Sequence, residues 1–417
     1  MTAQPIEQTS SIPENGIHVA DPDLWAAEKV LPLFEKLRNE DPVHLCKDSP
    51  YGPYWSITKY KDIVEVDTTH NIFSSAADLG GIVIDDNLTN DADSTEEAFE
   101  SFISMDQPRH SSFRKAVQPI AASPSIKAME DLIRERTCMV LDNLPINEEF
   151  DWVEEVSIKL TTMMLATLFD FPFEDRAKLT RWSDVFVAEP GQGIVESQEQ
   201  RLGEIMECLE YFTKLWNERV NEPPKFDLIS MMAHDPDTKN MTPMQYVGNL
   251  ALLIVGGNDT TRNTMSATIN MMNLFPDQFD MVRKDHSLID NMVAEVIRWQ
   301  TPLSHMRRTA LQDYELGGKL IKKGDKVVMW YYSGNRDADE FETADKIDIM
   351  RPNVRKHVSF GYGIHRCMGL RLAELQLRVL WQEILARWDN IELTAHPERV
   401  RSNFVNGYAK MTVKIKG

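Results

Sequence analysis

Cysteine is scarce: Cys46, Cys138, Cys208 and Cys367 are the four in 417 residues. None stands in a Cys-x-x-Cys or Cys/His zinc spacing, which excludes a disulfide framework and leads us to expect a reducing, cytoplasmic setting. Long apolar runs are missing as well. The longest, Leu250 to Gly257, falls far short of the roughly 18 to 20 residues that a membrane span needs. Met1 to Ala20 has neither a basic start nor an apolar core, so it reads as no signal or anchor. With no Ser/Gly linker, low-complexity tract or internal repeat, a single domain over residues 1–417 is expected.

Positive charge is in deficit. The chain has 45 Lys and Arg against 65 Asp and Glu, a net charge of −20, which argues against nucleic acid as a partner. The deficit is uneven. Arg351 to Gly417 carries 12 Lys and Arg against 5 Asp and Glu, a local +7 that leaves −27 for residues 1–350. The densest acidic patch, Asp85, Asp86, Asp91, Asp93, Glu96, Glu97 and Glu100, has no Lys or Arg within it and reads as a solvated loop. Against these absences stand 42% hydrophobic residues, with 9 Trp and 17 Phe, enough to bury a large core.

Apolar residues at helical spacing predict helices over Trp25 to Leu37, Pro108 to Ile120, Ile126 to Leu144, Val153 to Leu168, Phe173 to Val187, Gln198 to Val220 and Leu288 to Gln300. One helix is better specified than the rest. Thr242, Pro243 and Gln245 supply an N-cap, a proline at the first helical position and the partner residue of a capping box. Nothing interrupts that helix before Phe275-Pro276, so it is expected to run about 32 residues, or about 48 Å, and to cross the molecule. Tyr54 to Ile57 reads as a strand. Tyr314 to Leu316 and Lys326 to Tyr331, separated by Gly317-Gly318, predict a small antiparallel sheet. Leu370, Ala373, Leu377, Leu380, Trp381 and Ile384 form the stripe of a last amphipathic helix, and Met411 to Ile415 alternates as a strand. The fold class is therefore mainly α with a small antiparallel β part.

Three segments carry chemistry. Cys367 lies in Phe360-Gly361-Tyr362-Gly363-Ile364-His365-Arg366-Cys367-Met368-Gly369, a glycine-rich loop running into the last helix. A helix N-terminus with Arg366 and His365 beside it favours thiolate over thiol, and a lone thiolate suits either a nucleophile or an axial metal ligand. The other three cysteines read as structural. Gly256-Gly257-Asn258-Asp259-Thr260-Thr261 sits mid-helix, where each glycine costs roughly 1 kcal/mol against Ala. That cost suggests that something approaches closely, and an acid and a hydroxyl follow directly. Glu295 and Arg298 lie one turn apart on a predicted helix, with Arg351 far along the chain.

These segments resemble the cytochromes P450. Phe360, Gly363, Cys367 and Gly369 match every fixed position of that superfamily's Phe-x-x-Gly-x-x-x-Cys-x-Gly loop, in which thiolate ligation of haem is established. The resemblance implies haem b (iron protoporphyrin IX) between the long central helix and the cysteine-loop helix, with Cys367 on the iron. It implies that Thr260 and Asp259 serve oxygen activation and proton delivery, and that Glu295, Arg298 and Arg351 form a buried structural network. His110, Arg114, Arg308 and His365 fall where the superfamily places partners of the haem propionates. Leu252, Val255 and Gly256, on the face of Thr260, and Leu303 are the candidates to line the substrate pocket.

Leu253 to Asn263, Ile297 to Pro302, Met306 to Ala310, Val328 to Asp337 and His365 to Gly369 resemble family 153 in more detail. That bacterial group hydroxylates terminal methyl groups of medium-chain alkanes and fatty acids. The implied activity is a monooxygenase acting on a small hydrophobic substrate, with two electrons from a [2Fe–2S] ferredoxin and its NAD(P)H-dependent reductase, because no reductase is fused. Arg114, Lys115, Arg355, Lys356, Arg366 and Arg371 would offer an acidic ferredoxin a basic patch. Hydroxylation of a terpene or steroid, peroxide-driven chemistry and a non-catalytic haem sensor or electron carrier remain the competing readings. The first hundred residues and Phe173 to Val220 carry no legible motif.

Overall fold

The computed structural model describes residues 12–86, 99–188, 190, 191 and 193–416, so residues 1–11 and the acidic-patch members Asp91, Asp93, Glu96 and Glu97 lie outside it. The expected helix over Trp25 to Leu37 is two helices, α1 (Pro22–Ala26) and α2 (Leu31–Glu40). Pro32 is the reason: it has no N–H to donate and is tolerated only in a first turn, so the chain restarts there. Next come β1 (Val43–Cys46), β2 (Tyr54–Ile57), α3 (Tyr60–Thr68) and β3 (Phe73–Ser74). α4 (Arg109–Val117) gives way to a 3-10 turn around Pro119 before α5 (Ser123–Leu141). After β4 (Glu149–Asp151), a π-helical stretch at Val153–Ile158 leads into α6 (Lys159–Phe169). α7 (Ala177–Val187), α8 (Gln198–Val220) and α9 (Leu228–His234) follow.

The long helix, α10 (Pro243–Leu274), has the 32 residues that its signals predict. Its start is a closed capping box: the Thr242 hydroxyl accepts from the Gln245 N–H at 3.3 Å, and the Gln245 side chain accepts from the Thr242 N–H at 3.1 Å. The helix joins two cores. Tyr246, Val247, Leu250 and Ile254 pack in one with α5 to α9; Met265, Ile269, Met271 and Met272 pack in the other with the C-terminal helices and strands. Each fully buried side chain of this kind contributes about 1.5–3 kcal/mol. Between them, Gly256, Gly257, Thr260, Thr261 and Thr264 line a cavity.

Beyond α10 come α11 (Pro276–Lys284), α12 (Ile289–Gln300), β5 (Met306–Ala310), β6 (Tyr314–Leu316), β7 (Lys319–Ile321), β8 (Lys326–Met329) and α13 (Tyr331–Gly334). The cysteine loop leads into α14 (Leu370–Leu385), and β9 (Ile391–Leu393), β10 (Glu398–Arg399), β11 (Tyr408–Lys410) and β12 (Thr412–Ile415) end the chain. The expected pairing of Tyr314–Leu316 with Lys326–Tyr331 does not occur. The two-residue turn Gly317-Gly318 folds β6 onto β7, with Leu316 opposite Lys319. All four residues of β8 are buried, so β8 takes a central place in a five-stranded sheet of order β1-β2-β8-β5-β3, antiparallel to β5 and parallel to β2. β12 lies between β4 and β9 in a three-stranded antiparallel sheet. The architecture is mainly helical with small sheets, and no described helix is long and apolar enough to cross a membrane.

Candidate active site

A cavity of about 400 Å³ lies between α10 and the loop that opens α14. Gly256 and Thr260 of α10, Cys367 and Gly369 of the loop, and Leu372 and Ala373 of α14 all line it. The loop is closed by the Cys367 N–H, which donates to the Phe360 carbonyl at 2.8 Å. Gly363 does not face the cavity. It holds φ +65°, and a Cβ there would stand 2.4 Å from the Asp67 carbonyl oxygen, so only glycine lets the loop lie against the end of α3.

Cys367 is an exposed residue that lines the cavity, and the protein packed around its sulfur still dehydrates it. Burial pushes its thiol pKa up. The N–H groups of Gly369 and Leu370, with Arg114 and Arg366, pull the other way without outweighing burial. The sequence expectation of a thiolate favoured by the helix start with Arg366 and His365 beside it is corrected accordingly: the helix-start donors and Arg366 are present, but dehydration dominates. A cation bound at the sulfur supplies what is missing, since a coordinated thiol loses its proton outright.

The α10 wall has two glycines with different reasons. A Cβ on Gly257 would come within 2.8 Å of the Leu165 side chain, so this glycine lets α6 pack closely; a Cβ on Gly256 would meet nothing within 4 Å. Thr260 lines the cavity and donates its hydroxyl to the Gly256 carbonyl at 2.8 Å. Asp259 does not line it. The helix turns this carboxylate to the other side, where it has no solvent exposure and meets Arg262 Nη2 at 2.6 Å. Arg262 also donates to Asp184 of α7 from both terminal nitrogens, at 3.1 Å each. One Asp259 oxygen and the Ser183 hydroxyl remain without partners. Burial raises the Asp259 pKa from 3.8 to about 6, against the attraction of Arg262.

The basic residues gather at the cavity's other edge. Arg114 donates to the Arg366 and Ile364 carbonyls at 2.6 and 3.4 Å. Arg308 is held by Asp67, Nη2 to Oδ1 at 2.8 Å, both buried. His365 accepts or donates at Ser75 Oγ, 2.9 Å away, and packs edge-on against the His110 ring at 4.3 Å between centroids. Burial lowers the His110 pKa to about 4 and drives that of His365 further down. At neutral pH both are uncharged hydrogen-bonding groups, so the fixed positive charge expected of all four residues resides in the two arginines.

Glu295, Arg298 and Arg351 come together, all buried. Arg298 bonds Glu295 through Nε and Nη2 at 2.7 Å each, and Arg351 Nε lies 3.2 Å from both carboxylate oxygens. Arg298 Nη1 then donates to the Asn335 carbonyl at 2.6 Å. The Asn335 side chain accepts from the Val358 N–H and donates to Ser359 Oγ, each at 2.8 Å, and so reaches the cysteine loop. Sequence reasoning missed Asn335 as the link, although it stands within the Val328 to Asp337 stretch. It also missed Asp67, which holds Arg308 and accepts from the Tyr331 hydroxyl at 2.8 Å and the Tyr362 N–H at 2.7 Å. An isolated acid on a short helix gives no signal. The pocket candidates Leu252, Val255, Gly256 and Leu303 all line the cavity.

A cysteine sulfur opening on a basic-edged cavity beside a glycine-bearing helix defines a class, and comparison with known proteins agrees. The chain belongs to the cytochrome P450 family, whose model matches residues 86–407. It is a P450 monooxygenase, and its similarities are to bacterial members. Cytochrome P450-153 from Novosphingobium aromaticivorans is 44% identical, with 95% of this chain and 99% of that one covered and a TM-score of 0.89. CYP153D17 from Sphingomonas sp. PAMC 26605 is 48% identical over 96% of this chain and 98% of its own, also at 0.89. Linalool 8-monooxygenase of Pseudomonas putida is 37% identical over 95% of this chain and 98% of its own.

The family uses haem b, and the cavity fits it. His110 Nε2 and His365 Nδ1 are buried with no hydrogen-bond partner, a state that costs about 1–3 kcal/mol each unless an acceptor arrives. A propionate is such an acceptor, with Arg114 and Arg308 supplying its countercharge. Gly256 and Gly369, where a Cβ would meet nothing within 4 Å, leave open space on the α10 and loop sides for a flat macrocycle.

Asp259 yields a pH signature. Its folded pKa of about 6 exceeds the ordinary 3.8, so the folded state binds the extra proton and stability falls as pH rises from about 4 to about 6. Asp259→Asn removes this contribution. The stability of the native protein relative to the variant, followed by denaturant titration, is expected to decline across that window and level off above it; a flat difference refutes the shift.

Proposed function

We propose that the chain hydroxylates the terminal carbon of a medium-chain alkane or fatty acid. Cys367 would hold the haem iron through its sulfur, and its opening onto the same cavity as Thr260 carries the reading. Thiolate-held haem supplies oxygen activation, by which one oxygen atom enters a C–H bond. The chain's residues do the rest. Arg114 and Arg308 neutralise propionate charge while His110 and His365 donate hydrogen bonds to it. The Thr260 hydroxyl, resting on the Gly256 carbonyl at 2.8 Å, is a proton donor on the cavity wall. Asp259 holds the next proton one residue away, behind Arg262.

A terminal methyl has the strongest C–H bonds of an alkyl chain, so selectivity must come from the walls. Leu252, Val255 and Leu303 exclude water and leave only the chain's end room to approach. The identities of 44% and 48% to family-153 structures support this substrate class. The 37% identity to a linalool 8-monooxygenase favours, as a second reading, a terpene. Spin-state titration with alkanes, fatty acids of graded length and linalool, followed by product analysis, separates them: terminal alcohols from unbranched chains are expected, and turnover of linalool alone selects the second reading.

Replacing Cys367 with Ser is expected to abolish the absorbance of the reduced carbon monoxide complex that a thiolate produces; its persistence would remove Cys367 from the iron. Electrons come from a separate [2Fe–2S] ferredoxin and its NAD(P)H-dependent reductase, docking near Cys367. Arg355 and Lys356 are paired with Glu374 and Glu340. Lys115, Arg366 and Arg371 make no ion pair among the described residues and supply the attraction. Reduction by ferredoxin is expected to slow as salt is raised, and a salt-independent rate overturns this docking face.

A further inference from the structure

One cation in the cavity wall is not accounted for by the haem. Arg201, in the first turn of α8, is 4% exposed and lines the cavity with Phe186, Val187, Ile205 and Leu228. Its Nε donates to the Val185 carbonyl at 3.3 Å and its Nη2 to the Phe186 carbonyl at 2.9 Å, closing the C-terminus of α7, whose last carbonyls have no helical partner. Capping uses two of its three nitrogens. Nη1 has no hydrogen-bond partner among the described residues, and Arg201 makes no ion pair there; Asp85, on the loop that carries Ile82 and Val83 into the cavity, acts on it only at longer range. The other two arginines of the wall differ, since Arg114 is spent on loop carbonyls and Arg308 on Asp67. Burial makes the Arg201 charge costly and depresses its pKa, with Asp85 opposing. A cation kept dry among apolar side chains is normally matched by an anion.

We propose that Arg201 is a specificity-determining residue that receives the carboxylate of the substrate, which makes fatty acids, and not alkanes, the substrate class. The proposal rests on the terminal-hydroxylation reading and sharpens it. With Nε and Nη2 committed to α7, the carboxylate is taken end-on by the two N–H groups of Nη1, a charge-assisted contact made stronger by the burial of Arg201. Holding the polar end on α8 directs the alkyl chain along Leu252 and Val255 and leaves the methyl end free to approach Thr260 and the iron. An alkane of equal length leaves Nη1 without an acceptor, and a site built around a polar group discriminates against a ligand that lacks one.

The test is a spin-state titration of the haem-loaded enzyme with dodecanoic acid and with dodecane, in the native protein, Arg201→Met and Arg201→Lys. The native enzyme is expected to bind the acid more tightly than the alkane. Arg201→Met should weaken acid binding by about tenfold or more, the loss of one charge-assisted contact, and leave dodecane within about twofold. Arg201→Lys, which keeps the charge without the fork, should retain most of the acid preference. A purely structural cap would shift both ligands together in Arg201→Met, and that result, or an acid preference surviving the substitution, overturns the proposal while leaving terminal hydroxylation standing. If neither ligand moves the native spectrum, the terminal-hydroxylation reading itself fails.

Discussion

Glu295 has no solvent exposure, and its carboxylate is paired with two arginines that are themselves buried. Removing three charges from water costs several kcal/mol per ion, which is recovered only when every remaining donor finds an acceptor. Here they do: the two guanidiniums also reach the main-chain carbonyls of Asn335, Ala344, Lys346 and Glu342. These four carbonyls lie in the irregular chain between α13 and the cysteine loop, where no helix or sheet fixes the path. The ion cluster does the work of secondary structure for that segment. Through Asn335 it fixes Val358 and Ser359, and so the approach of the chain to Cys367.

The same logic of dry charge divides the cavity. At the basic edge, burial leaves His110 and His365 neutral, so they serve as donors while Arg114 and Arg308 carry charge. Asp67 holds Arg308 in place and, through the Tyr362 N–H, ties it to the cysteine loop. On the far side of α10, Arg262 stands between Asp259 and Asp184. This arrangement keeps the acid off the cavity wall, while Thr260 lines it. The middle of the cavity is apolar, and the charge at Arg201 is set apart from all of these.

The legible parts of the molecule were those governed by neighbours in sequence. The capping box at Thr242 and the uninterrupted pattern behind it define α10 to the residue, because an N-cap, a proline and a partner glutamine act within one turn. α8 over Gln198–Val220 and β2 over Tyr54–Ile57 follow from periodicity in the same way. The segment around Trp25 was misread because a proline that could open one helix was counted inside another. The partner of β8 was misread because strand pairing joins residues far apart: β8 lies beside β2, some 270 positions away, with Trp55 opposite Val327. Cys367 and Thr260 each sit in a compact motif and so stand out in the sequence; Asp67 and Asn335 do not, since their importance lies only in what they touch.

By itself, then, the sequence determined the family, the helix that crosses the molecule, the cysteine loop and the acid–alcohol pair, all expressed within single helical turns or a ten-residue loop. Tertiary structure alone decided the states and directions of those groups. Burial from distant segments is what raises the Cys367 thiol, neutralises the histidines and lifts Asp259 toward 6. The same packing turns Asp259 away from the cavity and brings Arg201 into its wall. Local pattern sets which side chains a helix carries, but desolvation and charge pairing depend on what long-range packing places around them.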